Sequence, residues 1–182
     1  MDVVFVLDLS GSIDTVYNII IAFAEYIVQG LPMRFDRTHV GVVAYSDLGT
    51  VHFYLDDYQT KQEVLTALSF RKAGGRTNTQ AAINLANRNA FSTSRGDRSG
   101  VPNKMIIVTD GRSNVDQSRT IPEADNAKRN NIEIYVIAVG DGPDMGEVSA
   151  MASDPDSEYV LRIEDERDVV QVANVLLDRL CA

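Results

Sequence analysis

The chain has 182 residues, of which 45% are hydrophobic, and a net charge of −9 at pH 7. This length accommodates one well-buried α/β domain and is too short for two of ordinary size. No segment is apolar over the length that a membrane-spanning helix needs, so membrane insertion is not expected. The acidic charge argues against a nucleic-acid partner, because phosphate binding requires clusters of Lys and Arg.

Signals for strands and helices alternate along the chain. The predicted strands are 3–7, 40–45, 51–55, 105–108, 132–139 and 159–163, and the second and third are joined by a short Ser-Asp-Leu-Gly turn as a hairpin. The predicted helices are 14–29, 61–68, 80–90, 122–129, 146–152 and 167–180. This alternation indicates an α/β fold: a doubly wound, mainly parallel six-stranded sheet with one antiparallel edge strand and helices on both faces. Since no linker or repeat interrupts the pattern, it predicts one domain over residues 1–182.

Side chains that carry oxygen follow the first predicted strand. Asp8, Ser10 and Ser12 occupy every second position, so their side chains are expected to point to the same side as the strand ends. Carboxylate and hydroxyl oxygens are hard donors that suit a hard divalent cation. The motif is weak evidence when taken alone, because Asp, Ser and Gly are also common in turns.

Two later segments supply further oxygen donors. The segment 74–79 reads Gly-Gly-Arg-Thr-Asn-Thr, precedes a predicted helix that Thr79 can cap, and contains Thr77. It is not a phosphate loop, because no Gly-Lys-Ser/Thr follows. The second segment places Asp110 directly after the strand 105–108. Loops that follow neighbouring parallel strands meet at the edge of the sheet where the winding reverses, so the donors of all three segments are expected to converge there.

Together the three segments resemble the metal-ion-dependent adhesion site of von Willebrand factor type A (vWA) domains and integrin I domains; they read DVVFVLDLSGS, GGRTNT and IIVTDG. The resemblance covers essentially the whole chain and implies the Rossmann-like vWA fold. By position it implies Ser10 and Ser12 as direct hydroxyl ligands and Asp8 as a carboxylate that acts mostly through water. It implies Thr77 and Asp110 as the pair that exchanges direct and water-mediated contact. One divalent cation is expected, Mg²⁺ foremost, with Mn²⁺ or Ca²⁺ as alternatives.

The resemblance implies adhesion rather than catalysis. Few carboxylates touch the ion directly in such a site, so an acidic residue of a partner protein can complete its coordination shell. The closing helix 167–180 is implied to shift when the ligands rearrange. The residues expected to face the partner are Tyr45, Ser46, Gly75, Arg76 and Arg112. For Tyr45, packing in the core is an equal alternative.

Two stretches look closest to extracellular-matrix members of the family, namely matrilin-like, collagen-associated and invertebrate matrix proteins; they read VPNKMIIVTDGRS and LLDRLC. We therefore expect a secreted adhesion module, excised from a larger protein, whose partner is collagen or another matrix protein. Matrix members often carry one cysteine on each side of the domain. Cys181, the single cysteine of the chain, therefore fits half of a disulfide with a cysteine upstream, and a neutral terminal thiol is the alternative.

Three other functions stay open on the sequence alone: an intracellular vWA scaffold of a multiprotein complex, a biomineral or shell-matrix domain, and an enzyme similar to aspartyl-phosphate hydrolases. Such hydrolases need a second acid two residues after the nucleophilic aspartate, where this chain has Ser10. No general base with an orienting partner stands out, so an enzyme is not expected. Arg95-Gly96-Asp97 matches an integrin-recognition tripeptide, which would make the domain itself a ligand of cell-surface receptors. The alternative is a chance match, since the resemblance implies a variable loop at this position.

Overall fold

A six-stranded sheet forms the centre of the computed structural model, which describes residues 1–10, 14–33 and 37–181. The spatial order is β3-β2-β1-β4-β5-β6. The strands are β1 (Asp2–Asp8), β2 (His39–Tyr45), β3 (Gly49–Phe53), β4 (Asn103–Thr109), β5 (Ile132–Val139) and β6 (Val160–Ile163). All neighbours pair in parallel except β2 and β3, which form the predicted antiparallel hairpin at one edge. The predicted fold class is thereby confirmed.

Seven α-helices lie in the part of the chain that the structure describes. They are α1 (Asp14–Gly30), α2 (Lys61–Ala67), α3 (Thr79–Leu85), α4 (Thr120–Arg129), α5 (Met145–Met151), α6 (Asp156–Tyr159) and α7 (Val169–Cys181). Short 3-10 turns span Thr93–Arg95, Gln117–Arg119 and Glu166–Asp168. No helix among the described residues has the length and apolar character needed to cross a membrane.

The bounds of several elements differ from those that the sequence predicts. The predicted helix 80–90 is α3 followed by one π-helical turn at Ala86–Ala90. The third strand lies at Gly49–Phe53 rather than 51–55, because Leu55 is fully buried without pairing in the sheet. At Leu55 the apolar pattern therefore indicates burial and not pairing in the sheet. A short helix, α6, also precedes β6, and the 3-10 turn Glu166–Asp168 begins what was predicted as one closing helix.

The sheet has a core on each face, because successive side chains of a strand point to opposite sides. In β1, Val3, Phe5 and Leu7 lie in the cluster that also contains residues of α1 and α7. Val4 and Val6 lie in the opposite cluster, with residues of α3 and α4. Burial on both faces explains why the central strands are continuously apolar.

β1 occupies the position where the winding of the sheet reverses. The chain passes from β1 to β2 on one side and later returns with β4 on the other. The register pairs Asp8 with Tyr45 and Leu7 with Val108, so β1, β2 and β4 end at one level. The loops after these three strands are therefore brought to one edge of the sheet, as expected for a ligand site of a doubly wound fold.

Candidate metal centre

Asp8 is a fully buried carboxylate at the end of β1. Its Oδ1 accepts a hydrogen bond from the backbone N–H of Ser10 at 3.0 Å, and its Oδ2 accepts one from the hydroxyl of Thr109 at 2.7 Å. Burial raises the pKa of Asp8 from 3.8 to about 6; the two hydrogen-bond donors lower it in part, and the negative charge of Asp110 raises it further. The position therefore favours a nearby positive charge.

Ser10 and Thr77 bring two hydroxyl groups together beside Asp8. Their Oγ and Oγ1 atoms lie 3.0 Å apart, and both residues are buried. Asn114 holds both backbone polar groups of Thr77: its Oδ1 accepts from the Thr77 N–H at 2.9 Å, and its own N–H donates to the Thr77 carbonyl at 3.0 Å. The N–H of Gly74 donates to the carbonyl of Leu9 at 3.1 Å, which joins the two loops.

Asp110 follows β4 directly and is half-buried at the same edge. Its charge acts on the buried Asp8 carboxylate, so the two acidic groups share one electrostatic environment. Four of the five predicted ligands are thus brought together at the carboxyl edge of the sheet: Asp8, Ser10, Thr77 and Asp110. Ser12 lies outside the described residues.

The donor set fits a hard divalent cation. Ligands that lie about 2.1 Å from an octahedral Mg²⁺ are about 3 Å from their nearest neighbours in the shell, which is the spacing of the Ser10 and Thr77 hydroxyls. The described residues contain no group of three or more His, Cys, Asp or Glu side chains arranged to hold a metal ion by themselves. The arrangement is therefore the mixed carboxylate and hydroxyl kind, and a cation would compensate the buried negative charge of Asp8.

Comparison with known proteins identifies the family of the chain. The sequence model of the von Willebrand factor type A domain matches residues 2–175. The chain belongs to this family. Relatives include integrin alpha-1 of Gallus gallus, which is 32% identical over 193 residues that cover 100% of this chain and 67% of the relative. The collagen alpha-6(VI) chain of Homo sapiens is 38% identical over 165 residues, covering 87% of this chain but 7% of the collagen chain.

A solved structure with the same fold is proximal thread matrix protein 1 from the mussel byssus, determined with a zinc-occupied adhesion-site motif. It superposes with a TM-score of 0.88 at 22% identity, over 99% of this chain and 48% of the mussel chain. This vWA domain thus spans about half of the mussel chain, and a small part of the collagen chain. The likeness in structure supports the fold assignment.

The residues predicted to face a partner do not all lie at the surface. Ser46 is half-buried, and Gly75, Arg76 and Arg112 are exposed at the rim of the metal centre. Tyr45 is 2% exposed and packs in the core cluster that contains α3, which corrects its assignment to the partner face and agrees with the alternative. The reason is strand parity, since Tyr45 points to the same side of β2 as the buried Val43.

The hydroxyl of Tyr45 lies within the protein at the level of the site. Burial raises the pKa of Tyr45 well above its ordinary value of 10.0, and the negative charge of Asp8 adds to this effect. The hydroxyls of Thr79 and Thr109 lie near that of Tyr45 and lower its pKa in part. Among the described residues, none forms a hydrogen bond of regular geometry with the Tyr45 hydroxyl. Tyr45 therefore contributes a neutral wall beneath the metal centre.

The tip of the β2–β3 hairpin forms part of the rim of the vWA domain; of its residues, the sequence indicated Ser46 but not Asp47 or Leu48. Asp47 accepts a hydrogen bond from Arg76 Nε at 2.9 Å. Asn78 donates from its backbone to the Ser46 carbonyl and from Nδ2 to the Asp47 carbonyl, both at 2.9 Å. The neighbouring Leu48 is 76% exposed. The rim thus presents one large apolar side chain beside an ion pair.

Asn78, rather than Thr79, is the N-cap of α3. Its Oδ1 accepts from the backbone N–H of Ala81 at 3.4 Å, and Thr79 is the first helical residue. The same asparagine therefore ends the loop that carries Thr77 and fastens that loop to the hairpin tip. Its type is a usual cap signal, but its second role depends on contacts between distant segments.

The Arg95-Gly96-Asp97 tripeptide lies near the amino ends of the parallel strands, opposite the metal centre. The guanidinium of Arg95 stacks over the ring of Tyr54 at 4.3 Å from its centroid. Gly96 packs so closely on Asp56 that a Cβ would lie 2.7 Å from its backbone nitrogen. Asp97 accepts from Asn103 Nδ2 at 2.8 Å. The three residues are thus engaged in contacts within the domain.

Proposed function

We propose that this vWA domain is a divalent-cation-dependent adhesion module of an extracellular matrix protein. Five residues would hold the cation: Asp8, Ser10, Ser12, Thr77 and Asp110. The bound cation supplies a Lewis-acidic position that an acidic residue of the partner completes. The observation that carries the proposal is the 3.0 Å approach of the Ser10 and Thr77 hydroxyls beside the buried Asp8 carboxylate.

The residues of the chain divide the work of the site. Thr109 and the Ser10 N–H occupy both oxygens of Asp8, which fixes the carboxylate in one orientation. The neutral hydroxyls of Ser10, Ser12 and Thr77 would leave the cation with a high effective charge, and this favours a carboxylate from outside the domain. Asp47 pairs with Arg76, and Asp144 pairs with Arg112. These ion pairs keep the two guanidinium groups at the face where an acidic partner would approach.

The identity of the cation and of the partner are parts of the same proposal. Mg²⁺ is the ion we expect, with Mn²⁺ and Ca²⁺ as alternatives, because all the donors are hard oxygens; the zinc in the mussel protein makes Zn²⁺ worth including. The integrin and collagen relatives support a matrix protein, such as collagen, as the partner. They also support a secreted location and a single domain, residues 1–182, within a larger protein.

Cys181 is exposed at the end of α7. Its exposure would allow the proposed disulfide to a cysteine upstream of the chain described here. A matched test is mass spectrometry of the longer protein after digestion without reduction. A crosslinked peptide that contains Cys181 would support the pairing, and a free thiol would refute it.

The decisive experiment measures binding of immobilised collagens and other matrix proteins in Mg²⁺, Mn²⁺ or EDTA. Wild type is compared with Asp110→Ala, and circular dichroism checks that the variant is folded. Binding that requires both the cation and Asp110 would support the proposal. Cation binding with no cation-dependent matrix partner would refute the adhesion function, whereas no cation binding at all would refute the site itself.

A further inference from the structure

The segment between β5 and α5, together with the first turn of α5, runs along the loop that carries Asp110. Gly142 meets Asp110, Asp144 pairs with Arg112 at 3.4 Å, and Glu147 bonds to Ser113. The contacts follow the same order in both segments. A continuous contact of this kind fixes the backbone of the metal loop rather than one side chain.

Gly142 allows the closest of these approaches. A Cβ at this position would lie far inside van der Waals contact with the backbone carbonyl oxygen of Asp110. The φ angle of Gly142 lies outside the left-handed range, so its backbone conformation suits any residue. Glycine is required here by the proximity of Asp110 alone.

Glu147 holds the next part of the loop through a buried set of hydrogen bonds. Its carboxylate accepts from the N–H of Ser113 at 2.9 Å, from the Ser113 hydroxyl at 2.7 Å and from Gln117 Nε2 at 3.0 Å. The Ser113 hydroxyl also contacts that of Thr120 at 3.0 Å. Glu147 is 9% exposed, and hydrogen bonds to a buried carboxylate are among the strong ones in proteins.

The residue after Ser113 extends this contact to the second metal loop. Asn114 accepts a hydrogen bond from the Thr77 N–H at 2.9 Å and donates one to the Thr77 carbonyl at 3.0 Å. A shift of Ser113 would therefore displace Asn114 and with it Thr77. The path from Glu147 in α5 thus reaches Thr77 through Ser113 and Asn114, while Gly142, before α5, meets Asp110 directly.

We infer that Glu147 and Gly142 are positioning residues of the metal centre, which set the separation between Asp110 and Thr77. The inference rests on the proposed function, because it concerns the cation site described above. It predicts that changes at these two residues weaken cation binding although neither is a ligand. Residues that orient metal ligands typically contribute about 10-fold or more in metal affinity.

The test uses Glu147→Gln and Gly142→Ala in the 182-residue chain. Isothermal titration with Mn²⁺ gives the dissociation constant, and thermal unfolding in EDTA gives the stability without metal. We expect the dissociation constant for Mn²⁺ to rise about 10-fold in each variant. Asn114→Ala is a third variant that will fold, because Asn114 is exposed, and it is expected to weaken Mn²⁺ binding in the same direction.

Arg98→Lys is the matched control. Arg98 donates to the buried Asp2 at the opposite edge of the sheet, at 2.9 Å from Nε and 2.6 Å from Nη2. This variant should unfold at a lower temperature in EDTA and keep the wild-type dissociation constant for Mn²⁺. If the Glu147, Gly142 and Asn114 variants behave like this control, their role is structural and the inference is overturned. If wild type itself binds no Mn²⁺, the proposed function fails first.

Discussion

The side-chain hydroxyls of Ser10 and Thr77 lie 3.0 Å apart, although 67 positions separate the two residues along the chain. Their approach depends on β1 lying at the centre of the sheet and on the loop before α3 reaching over its end. A substitution at either residue can therefore test the metal centre, because replacing one hydroxyl removes one proposed metal ligand while the surrounding loops stay in place.

Thr77→Val replaces the hydroxyl by a methyl group of similar size. We expect the dissociation constant for Mg²⁺ or Mn²⁺ to rise at least about tenfold, or about 1.4 kcal/mol of binding free energy. Thr77→Ser retains the hydroxyl and should bind within a few-fold of wild type. Isothermal titration measures both. Equal affinity in the valine variant would show that Thr77 is not a ligand.

Cations should stabilise the folded domain, because the site is assembled only in the native state. At cation concentrations ten- to a hundredfold above the dissociation constant, linkage predicts roughly 1.4–2.7 kcal/mol. For a domain of this size that corresponds to a rise of about 3–10 °C in the unfolding temperature. Thermal scans with Mg²⁺, Mn²⁺, Ca²⁺, Zn²⁺ or EDTA test this. Asp110→Ala should remove the rise, and a rise that persists in that variant would place the cation elsewhere.

Asp8 should make the stability of the metal-free protein depend on pH. Its folded-state pKa of about 6 exceeds the ordinary 3.8, so folding favours the protonated form. Its contribution to the free energy of unfolding is complete below about pH 4 and is lost as the pH rises through 6. Urea unfolding in EDTA at several pH values should show Asp8→Asn gaining on wild type across this window.

The asparagine variant of Asp8 is a reasonable isostere. Its amide oxygen can accept from the Ser10 N–H, and its amide can donate to the Thr109 hydroxyl, which already contacts the Gly111 carbonyl at 3.1 Å. The affinity of wild type for the cation should rise with pH, whereas the stability of the metal-free protein falls, because the cation binds more tightly when Asp8 is ionised. A stability difference between the two proteins that is the same at pH 4 and pH 7 would contradict the raised pKa.

Leu48 offers a test of the partner face that leaves the fold intact. Because the side chain is 76% exposed, Leu48→Ser should change the free energy of unfolding by less than about 0.5 kcal/mol. We expect weaker binding to the cation-dependent matrix partner and an unchanged dissociation constant for Mn²⁺. Surface plasmon resonance and titration measure the two quantities. Val170→Ser on α7, also exposed, serves as a control outside the rim. Full partner binding by the Leu48 variant would exclude this side chain from the interface.

The mainly parallel sheet with one antiparallel edge strand, and the convergence of the proposed ligands at its carboxyl edge, were predictable from the sequence. Asp8 and Asp110 each end an apolar run, and parallel strands bring such ends to one edge. Counting alternate positions in β2 would also have placed Tyr45 beside Val43 in the core.

Other features depend on contacts that a single sequence does not reveal. Glu147 lies 34 positions from its partner Ser113, and nothing in its neighbourhood distinguishes it from a solvated helix residue. Asn114 likewise resembles an ordinary turn residue, although its side chain accepts a hydrogen bond from the backbone N–H of Thr77. Such residues are recognised only when the loops they join are seen together.

The hydrogen bond between Asp8 and Thr109 joins residues that are 101 positions apart, and this separation affects the rates of folding and unfolding. Contacts of such high sequence separation slow folding, because the entropy of closing the intervening loop is lost before the contact is gained. A cation that needs β1, β4 and the loop before α3 in place cannot bind the transition state unless that state already contains all three. Saturating cation should therefore slow unfolding far more than it accelerates refolding. The bound ion would therefore stabilise the domain kinetically, by prolonging the lifetime of the native state under mechanical or chemical stress.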